Sequence, residues 1–388
     1  MRSTRPCAVA SPSPLAAPAM TATLSCNRSP CRYPVHRLLS HTTYKPVEKI
    51  KTIVFVFLQA VARFENIVTP RTRAIAHDGS AKGEKLGMQE PKVFRPDLND
   101  PTRPKRGLDE QDLAERESIY RPDLLAGKTL LITGGGSGMG KATAFLAARL
   151  GANVAICGRN PEKLARTKEA IQESLGIEIF THITNIREPE AVEGLISAVH
   201  DHFGGIDTVV NNAGGQFPQD AIDFSRKGWL AVIDTNLNGT WWVMQEAAKR
   251  WREDGKPGNI VNIVANVERG MPQAAHTCAA RAGVIYLSKT LATEWAPHNI
   301  RINCIGPGVI ETEGFVMYPE EALKRFHKAN PMKMRGDAWD VAESIVYLAS
   351  PGGRFVNGDL LIIDGGQAQW GVIWPGGMPD YFSEDGAA

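Results

Sequence analysis

The stretch TGGGSGMG, Thr133 to Gly140, stands between the short apolar run KTLLIT and the helical pattern KATAFLAARLG. Gly134, Gly138 and Gly140 follow the spacing G-x-x-x-G-x-G, with Ser137 and Met139 filling the turn. Missing side chains let a backbone approach a pyrophosphate, and the N-terminus of the following helix adds free N–H groups and a favourable dipole. Glycine clusters also make ordinary turns. The strand–turn–helix context selects the phosphate-cradle reading here.

Outward from this turn, strand-like and helix-like stretches alternate. ANVAICGR is followed by the charged helix NPEKLARTKEAIQESLG, the strand IEIFTHIT and the helix EPEAVEGLISAVHDHFG. The runs IDTVVNNAG, GNIVNIVANV and IRINCIGPG continue the series. Continuous apolar strands separated by helices predict a parallel sheet covered on both faces, a single doubly wound α/β domain of Rossmann type. The second strand ends at CGRN, where an acid would meet a free ribose 2′-hydroxyl and an arginine a 2′-phosphate. Arg159 holds that place, which favours NADPH over NADH; the alternative is an ordinary solvated arginine.

The 388 residues, 43% apolar with a formal charge of +2, give no electrostatic reason to expect nucleic acid. Six cysteines show no metal-ligand spacing, so no metal is expected and a reducing compartment fits. The longest apolar stretch near the start, IVFVFLQAVA, is too short to span a bilayer. Residues 1–87 read as a mostly disordered or spurious extension; the six Lys/Arg and no acid of residues 1–47 are also compatible with a transit peptide. Met88 reads as a plausible start, residues 88–121 as a linker or surface arm, 122–372 as the catalytic domain and 373–388 as a tail.

From about Pro122 to Trp370 the chain resembles the short-chain dehydrogenase/reductase superfamily. The resemblance rests on TGGGSGMG, on NNAG (Asn211–Gly214) and on Asn236 in DTNLNGT. IRINCIGPG with Thr312 four residues after Gly308, and IDGG (Ile363–Gly366), complete it. It implies that Asn212, Ala213 and Gly214 lie against the adenosine side of the cofactor and that Asn185 contacts adenine. It further implies that Pro307, Gly308, Val309 and Thr312 flank the nicotinamide.

The superfamily normally carries Ser, Tyr and Lys, with Tyr-x-x-x-Lys just before AGV. Counting back from Ala282-Gly283-Val284 puts Arg281 at the Lys position and Thr277 at the Tyr position. Roughly thirteen residues upstream, Val264, Ala265 and Asn266 offer no hydroxyl for the Ser. Tyr286 and Lys289 are at the wrong spacing: nine positions after Thr277 is roughly 900° of helix, so Tyr286 points to the opposite face. These two are expected to be packing or subunit-contact residues.

Carbonyl reduction needs a group that passes a proton to oxygen, and threonine is too weak an acid to replace a phenol. Reduction of an α,β-unsaturated thioester mainly needs hydrogen-bond donors for the developing enolate oxygen. Thr277 and His276 are candidate donors, and Arg281 a candidate holder of the ribose hydroxyls. His276 has the equal alternative of a backbone-bonded helix-start residue, and Asn236 that of shaping a helix bend. NNAGGQF, RKGWLAVIDTNLNGT, AHTCAARAGV and IRINCIGPGVI resemble the peroxisomal trans-2-enoyl-CoA reductases, and more loosely the 2,4-dienoyl-CoA reductases. The resemblance implies an acyl-CoA substrate and a homo-oligomer, dimer or tetramer. Where those reductases often have Tyr after AGV, this chain has Ile285. Val309 to Gly336 stands where the superfamily keeps its substrate lid. A terpenoid alcohol/aldehyde dehydrogenase and a catalytically silent NADP(H)-binding scaffold or redox sensor stay open beside the reductase. The terminal EDGAA carries no peroxisomal tripeptide. A cytoplasmic location is expected, or a mitochondrial one if residues 1–47 act as a transit peptide.

Overall fold

The strand before the glycine turn, β1 (Thr129–Thr133), is buried along its length, with Leu131 in one core and Leu130 and Ile132 in the other. That alternation, period two with both faces apolar, is what a central parallel strand requires. The structure is a computed structural model and describes residues 107–318 and 320–369. The extension 1–87 and the tail from 370 lie outside the described residues.

After β1 come α2 (Gly138–Arg149), β2 (Asn153–Gly158), α3 (Pro161–Leu175), β3 (Phe180–Ile183), α4 (Pro189–Phe203) and β4 (Thr208–Asn211). The second half runs α5 (Arg226–Ile233), a π-turn (Asp234–Asn238), α6 (Gly239–Asp254), β5 (Gly258–Ile263) and α7 (Ala275–Glu294). It closes with β6 (Ile300–Pro307), β7 (Ile310–Glu311), β8 (Gly336–Asp337), α8 (Ala338–Ala349) and β9 (Leu360–Ile363). Seven strands form one sheet in the order β3-β2-β1-β4-β5-β6-β9, every pair parallel. β7 and β8 pair separately, at the two ends of the segment 312–335.

One face of the sheet packs on α2, α3 and α8 through Phe145, Leu146, Ile171 and Ile345. The other packs on α4, α6 and α7 through Leu195, Val243, Trp251 and Leu291. Each such side chain taken out of water contributes roughly 1.5–3 kcal/mol. The chain is therefore the doubly wound α/β domain expected, with the chain reversing direction between β1 and β4. In such sheets ligands bind at that switch point, beyond the carboxyl ends of the strands.

Residues 107–121 carry one helix ahead of the sheet, α1 (Glu110–Glu115), closed by a capping box between Asp109 and Asp112. Leu113 is buried against the core, Arg116 forms a buried ion pair with Asp337 at 2.7 Å, and the Tyr120 hydroxyl donates to the Glu343 carbonyl. The mixed charges that make this stretch read as a linker are partly spent on ion pairs with the domain.

Candidate active site

The glycine turn sits at the end of β1 and is locked from β4. Asn212 Nδ2 donates to the carbonyls of Thr133 and Gly134, at 2.9 and 3.2 Å, while the Asn212 and Ala213 N–H groups donate to Thr133 Oγ1. Gly134 has φ +68, and a β-carbon there would lie 3.0 Å from the Ala213 backbone. A β-carbon at Gly140 would overlap Asn212 Nδ2. These glycines let two strand ends come together, so the amide of Asn212 positions the turn. Gly138, φ +54, starts α2, with Ser137 as its extended N-cap residue and Met139 half-buried beside it.

α7 carries the two residues that the sequence aligns with the usual Tyr and Lys positions. Thr277 and Arg281, four apart, share one helix face and are both buried. The Thr277 N–H donates to His276 Nδ1 at 2.8 Å, and Thr277 Oγ1 lies 3.4 Å from the same atom. With Nδ1 accepting, the neutral ring is assigned its proton on Nε2, which is buried without a hydrogen-bond partner. The ring is stacked on Phe224 with centroids 4.5 Å apart and meets the edge of Phe217 at 4.6 Å. Burial lowers the His276 pKa, against the opposite pull of the Ala274 and Phe217 carbonyls, so the ring is neutral at pH 7.

Arg281 is enclosed: burial brings its pKa down to about 10, against a smaller upward pull from the Cys304 thiol, so it stays charged. Nη1 has no partner, and no carboxylate pairs with the guanidinium among the described residues. An uncompensated buried cation is costly unless something else supplies oxygen atoms. Gly214 makes room for it, since a β-carbon there would overlap Nη2 and lie 3.1 Å from Asn236 Oδ1.

Asn236 lies in the π-turn between α5 and α6. Its Oδ1 accepts from the Gly215 N–H at 3.0 Å and its Nδ2 donates to the Gly215 carbonyl at 2.9 Å, so it holds the loop after β4. Its own carbonyl accepts from the Thr240 hydroxyl. After β5, Val264 is buried and Asn266 Nδ2 donates to Asp364 at 2.7 Å, so no hydroxyl comes from that strand end. Tyr286 is 71% exposed, with the Lys289 ammonium 5.3 Å over its ring, on the other side of α7 from Thr277.

Arg159 directly follows β2 and is exposed, with no ion pair or hydrogen bond among the described residues. Asn185, after β3, has its amide engaged by Glu188 at 2.6 Å and by Arg187. At the end of β6, the Gly308 N–H donates to the Ile363 carbonyl and the Val309 carbonyl accepts from Gly336. Thr312 lies over the glycine turn: its Cγ2 is 3.4 Å from where a Gly138 β-carbon would be. Past it, Phe315, Tyr318 and Phe326 pack edge to face, and the Tyr318 hydroxyl accepts from Gln216 Nε2 at 2.8 Å. Gln216 belongs to the loop that also carries Phe217, so this segment is fastened to the loop after β4.

Most of these groups stand at the carboxyl ends of β1 to β6 or in the first turns of the helices that follow, with Asn236 in the π-turn between α5 and α6. Gly134 to Gly140, Asn212 to Gly214, Asn236, Arg281 and Thr312 are linked by direct contacts; Arg159 and Asn185 stand at the far side, by β2 and β3. The contacts of Phe217, Phe224, Gln216 and Tyr318 depend on which loops meet, which no motif in the sequence encodes. The same holds for Glu313, whose carboxylate accepts from the Gly138 N–H at 2.9 Å.

A parallel sheet with a glycine turn between its first strand and the next helix defines a Rossmann-type domain, and comparison with known proteins agrees. A family pattern described as enoyl-(acyl carrier protein) reductase matches residues 134–368. The chain belongs to the short-chain dehydrogenase/reductase superfamily. It is 38% identical over 245 residues to a probable 2,4-dienoyl-CoA reductase [(2E)-enoyl-CoA-producing] of Bacillus subtilis, covering 62% of this chain and 96% of that protein. It is 34% identical over 270 residues to the peroxisomal 2,4-dienoyl-CoA reductase [(3E)-enoyl-CoA-producing] of Mus musculus, covering 69% and 91%. Among solved structures, the citronellol catabolism dehydrogenase of Pseudomonas aeruginosa PAO1 matches with a TM-score of 0.58 and 38% identity, covering 65% of this chain and 99% of that one. Among the described residues, no helix is long and apolar enough to cross a membrane.

Proposed function

We propose that the chain is an NADPH-dependent reductase of the C=C bond of a 2-enoyl thioester, acting on an acyl-CoA. The observation that carries this reading is the pairing, on one face of α7, of buried hydrogen-bond donors with a buried cation and no phenol. The residues present fit a nicotinamide cofactor, because the Met139 and Gly140 N–H groups at the start of α2 have no acceptor among the described residues and the Arg281 Nη1 lacks a partner. Gly134 to Gly140 would hold the pyrophosphate, Arg159 the 2′-phosphate, Asn185 the adenine, Ala213 and Gly214 the adenosine side, and Arg281 the ribose hydroxyls. Pro307, Gly308, Val309 and Thr312 would flank the nicotinamide. When bound, that cofactor supplies the hydride.

The chain's own residues then have two tasks. The Thr277 hydroxyl and the His276 Nε2–H donate to the thioester oxygen as it gathers negative charge, and being already positioned they need no reorganisation. Arg281 adds a positive potential inside a water-poor site, where it acts over a longer range than in water. Asn236 holds Gly215, and so the loop carrying Phe217, in place. The α-carbon then takes its proton from water, with no acid of phenol strength required. Phe217, Phe224, Phe315 and Phe326 offer apolar surface for an acyl chain. The dienoyl-CoA reductases among the relatives support a CoA thioester.

A second reading, a terpenoid alcohol/aldehyde dehydrogenase, is favoured by the likeness to the citronellol catabolism enzyme. A panel of 2-enoyl-CoAs, a 2,4-dienoyl-CoA and citronellal, with NADPH oxidation followed by absorbance, decides between them. Turnover of the thioesters alone upholds the proposal. Turnover of citronellal alone replaces it with the second reading, and NADPH binding without any turnover points to a silent scaffold.

A further inference from the structure

Lys141, in the first turn of α2, joins three parts of the chain that are distant in sequence. Its side chain is 9% exposed, and its Nζ lies 2.8 Å from Glu313 Oε1 and 3.1 Å from Glu110 Oε1. The other oxygen of Glu313 accepts from the Gly138 N–H at 2.9 Å. Burial works against the ammonium charge, but Glu313 and Glu110 more than offset it and leave the Lys141 pKa raised. Gly107, with φ +83, brings the start of the arm against the Thr312–Glu313 backbone, within 3.2 Å of a β-carbon placed there. The far end of the same segment is also tied. Arg335 lies 2.8 Å from Glu311 and Asp337 2.7 Å from Arg116, both pairs buried.

We propose that Glu313 is a positioning residue that fastens the start of segment 312–336 to the glycine turn through Lys141 and Gly138. Cofactor cradle and acyl-binding segment are then held as one unit, with Glu110 of α1 sharing the lysine. This rests on the reading of that segment and turn as the substrate and cofactor sites. A carboxylate at a helix N-terminus also stands where a phosphate would be welcome, so the rival idea is that Glu313 competes with the cofactor. The hydrogen bonds favour the brace. Glu313 takes the Gly138 N–H, whereas the Met139 and Gly140 N–H groups have no acceptor among the described residues. Those two donors stay available to a pyrophosphate while the brace is closed.

The test uses the full chain with Glu313→Gln, Lys141→Met, Glu110→Gln and the Lys141→Met/Glu313→Gln double variant. NADPH affinity is read by fluorescence, kcat and KM on the thioester that is turned over, and hydrogen exchange over residues 309–318 without ligand. Glu313→Gln is expected to weaken NADPH binding roughly tenfold, the usual scale for losing a hydrogen bond to a charged group. It should raise the thioester KM, leave kcat at saturation within about twofold, and speed exchange over 309–318. Glu110→Gln should do the same more weakly, and the double variant should lose no more than the larger single loss. Tighter NADPH binding in Glu313→Gln would identify the carboxylate as a competitor and overturn the brace, as would unchanged exchange over 309–318. If the native chain does not bind NADPH at all, the cofactor reading falls. The exchange comparison then decides the brace alone, with Glu313→Gln and Glu110→Gln keeping Lys141 in place should Lys141→Met fail to fold.

Discussion

Arg281 reaches across the cleft to Gly214 so closely that a β-carbon at 214 would overlap its Nη2 atom. The glycine that ends NNAG is thus required by a side chain from α7. Gly214→Ala should push the guanidinium aside and weaken NADPH binding roughly tenfold, the scale of one charge-assisted hydrogen bond. Arg281→Ala should lower both cofactor affinity and turnover, and the two changes together should cost less than their sum. Isothermal titration on the three variants checks this, and additive losses would separate the two residues.

The second prediction compares two faces of α7. Thr277→Val keeps the shape and removes a donor at a buried position. Losing one oxyanion donor typically costs on the order of 10²–10³-fold in turnover, so a neutral hydroxyl should cost somewhat less. Tyr286→Phe, on an exposed side chain, should leave turnover nearly unchanged. If Tyr286→Phe abolished turnover while Thr277→Val was silent, the phenol would be the acid after all.

The alternation of apolar runs and charged helices made the sheet legible, because each central strand is buried on both faces and shows it in composition. The glycine spacing was legible for the same reason: Gly134 and Gly140 are demanded locally by the strand ends they join. The partners of Asn236, Arg281 and His276 were not. Gly215, Gly214 and Phe224 reach them from other loops, and no period in the sequence encodes which loops meet. The arm was harder still. Arg116 and Asp337 lie 221 residues apart, and nothing in a charged stretch distinguishes a solvated arginine from one buried against a distant aspartate.

Cofactor choice gives the third prediction. The Arg159 guanidinium has no protein partner among the described residues and directly follows β2. Arg159→Asp should raise the NADPH Michaelis constant far more than the NADH one, by a factor on the order of 10² for loss of a charge-assisted contact plus repulsion. An unchanged ratio of the two constants would remove Arg159 from the 2′-phosphate site.

His276 sets an expectation for pH. Burial lowers its folded pKa below the ordinary 6.5, so the unfolded chain takes up a proton first as the solution is acidified. The unfolded state then binds more protons, and stability falls as pH drops. The contribution of the neutral ring is complete above 6.5 and is lost as pH descends from there through the folded pKa. Denaturant midpoints of the native chain and His276→Gln, measured in steps from pH 7.5 to pH 5, should converge toward the acid end. Parallel curves would mean that His276 takes no part in acid destabilisation.

The last prediction concerns where the folded unit begins. A chain starting at Met88 should keep its melting temperature and its activity, since residues 1–87 carry none of the superfamily's motifs. A chain starting at Pro122 removes Leu113 from the core and Arg116 from beside Asp337, the residue that caps α8. Stranding one member of a buried ion pair costs about 3–5 kcal/mol, and an emptied leucine site about 2–5 kcal/mol. Together these approach the whole stability of an ordinary domain, 5–15 kcal/mol or so. The shorter chain should therefore be insoluble or melt well below the longer one. Arg116→Met isolates the charge: it keeps the helix and most of the packing, so a clear drop in melting temperature assigns the loss to the uncovered Asp337. If the Pro122 chain melted with the Met88 chain, residues 107–121 would be surface decoration and the arm's ion pairs would contribute nothing measurable.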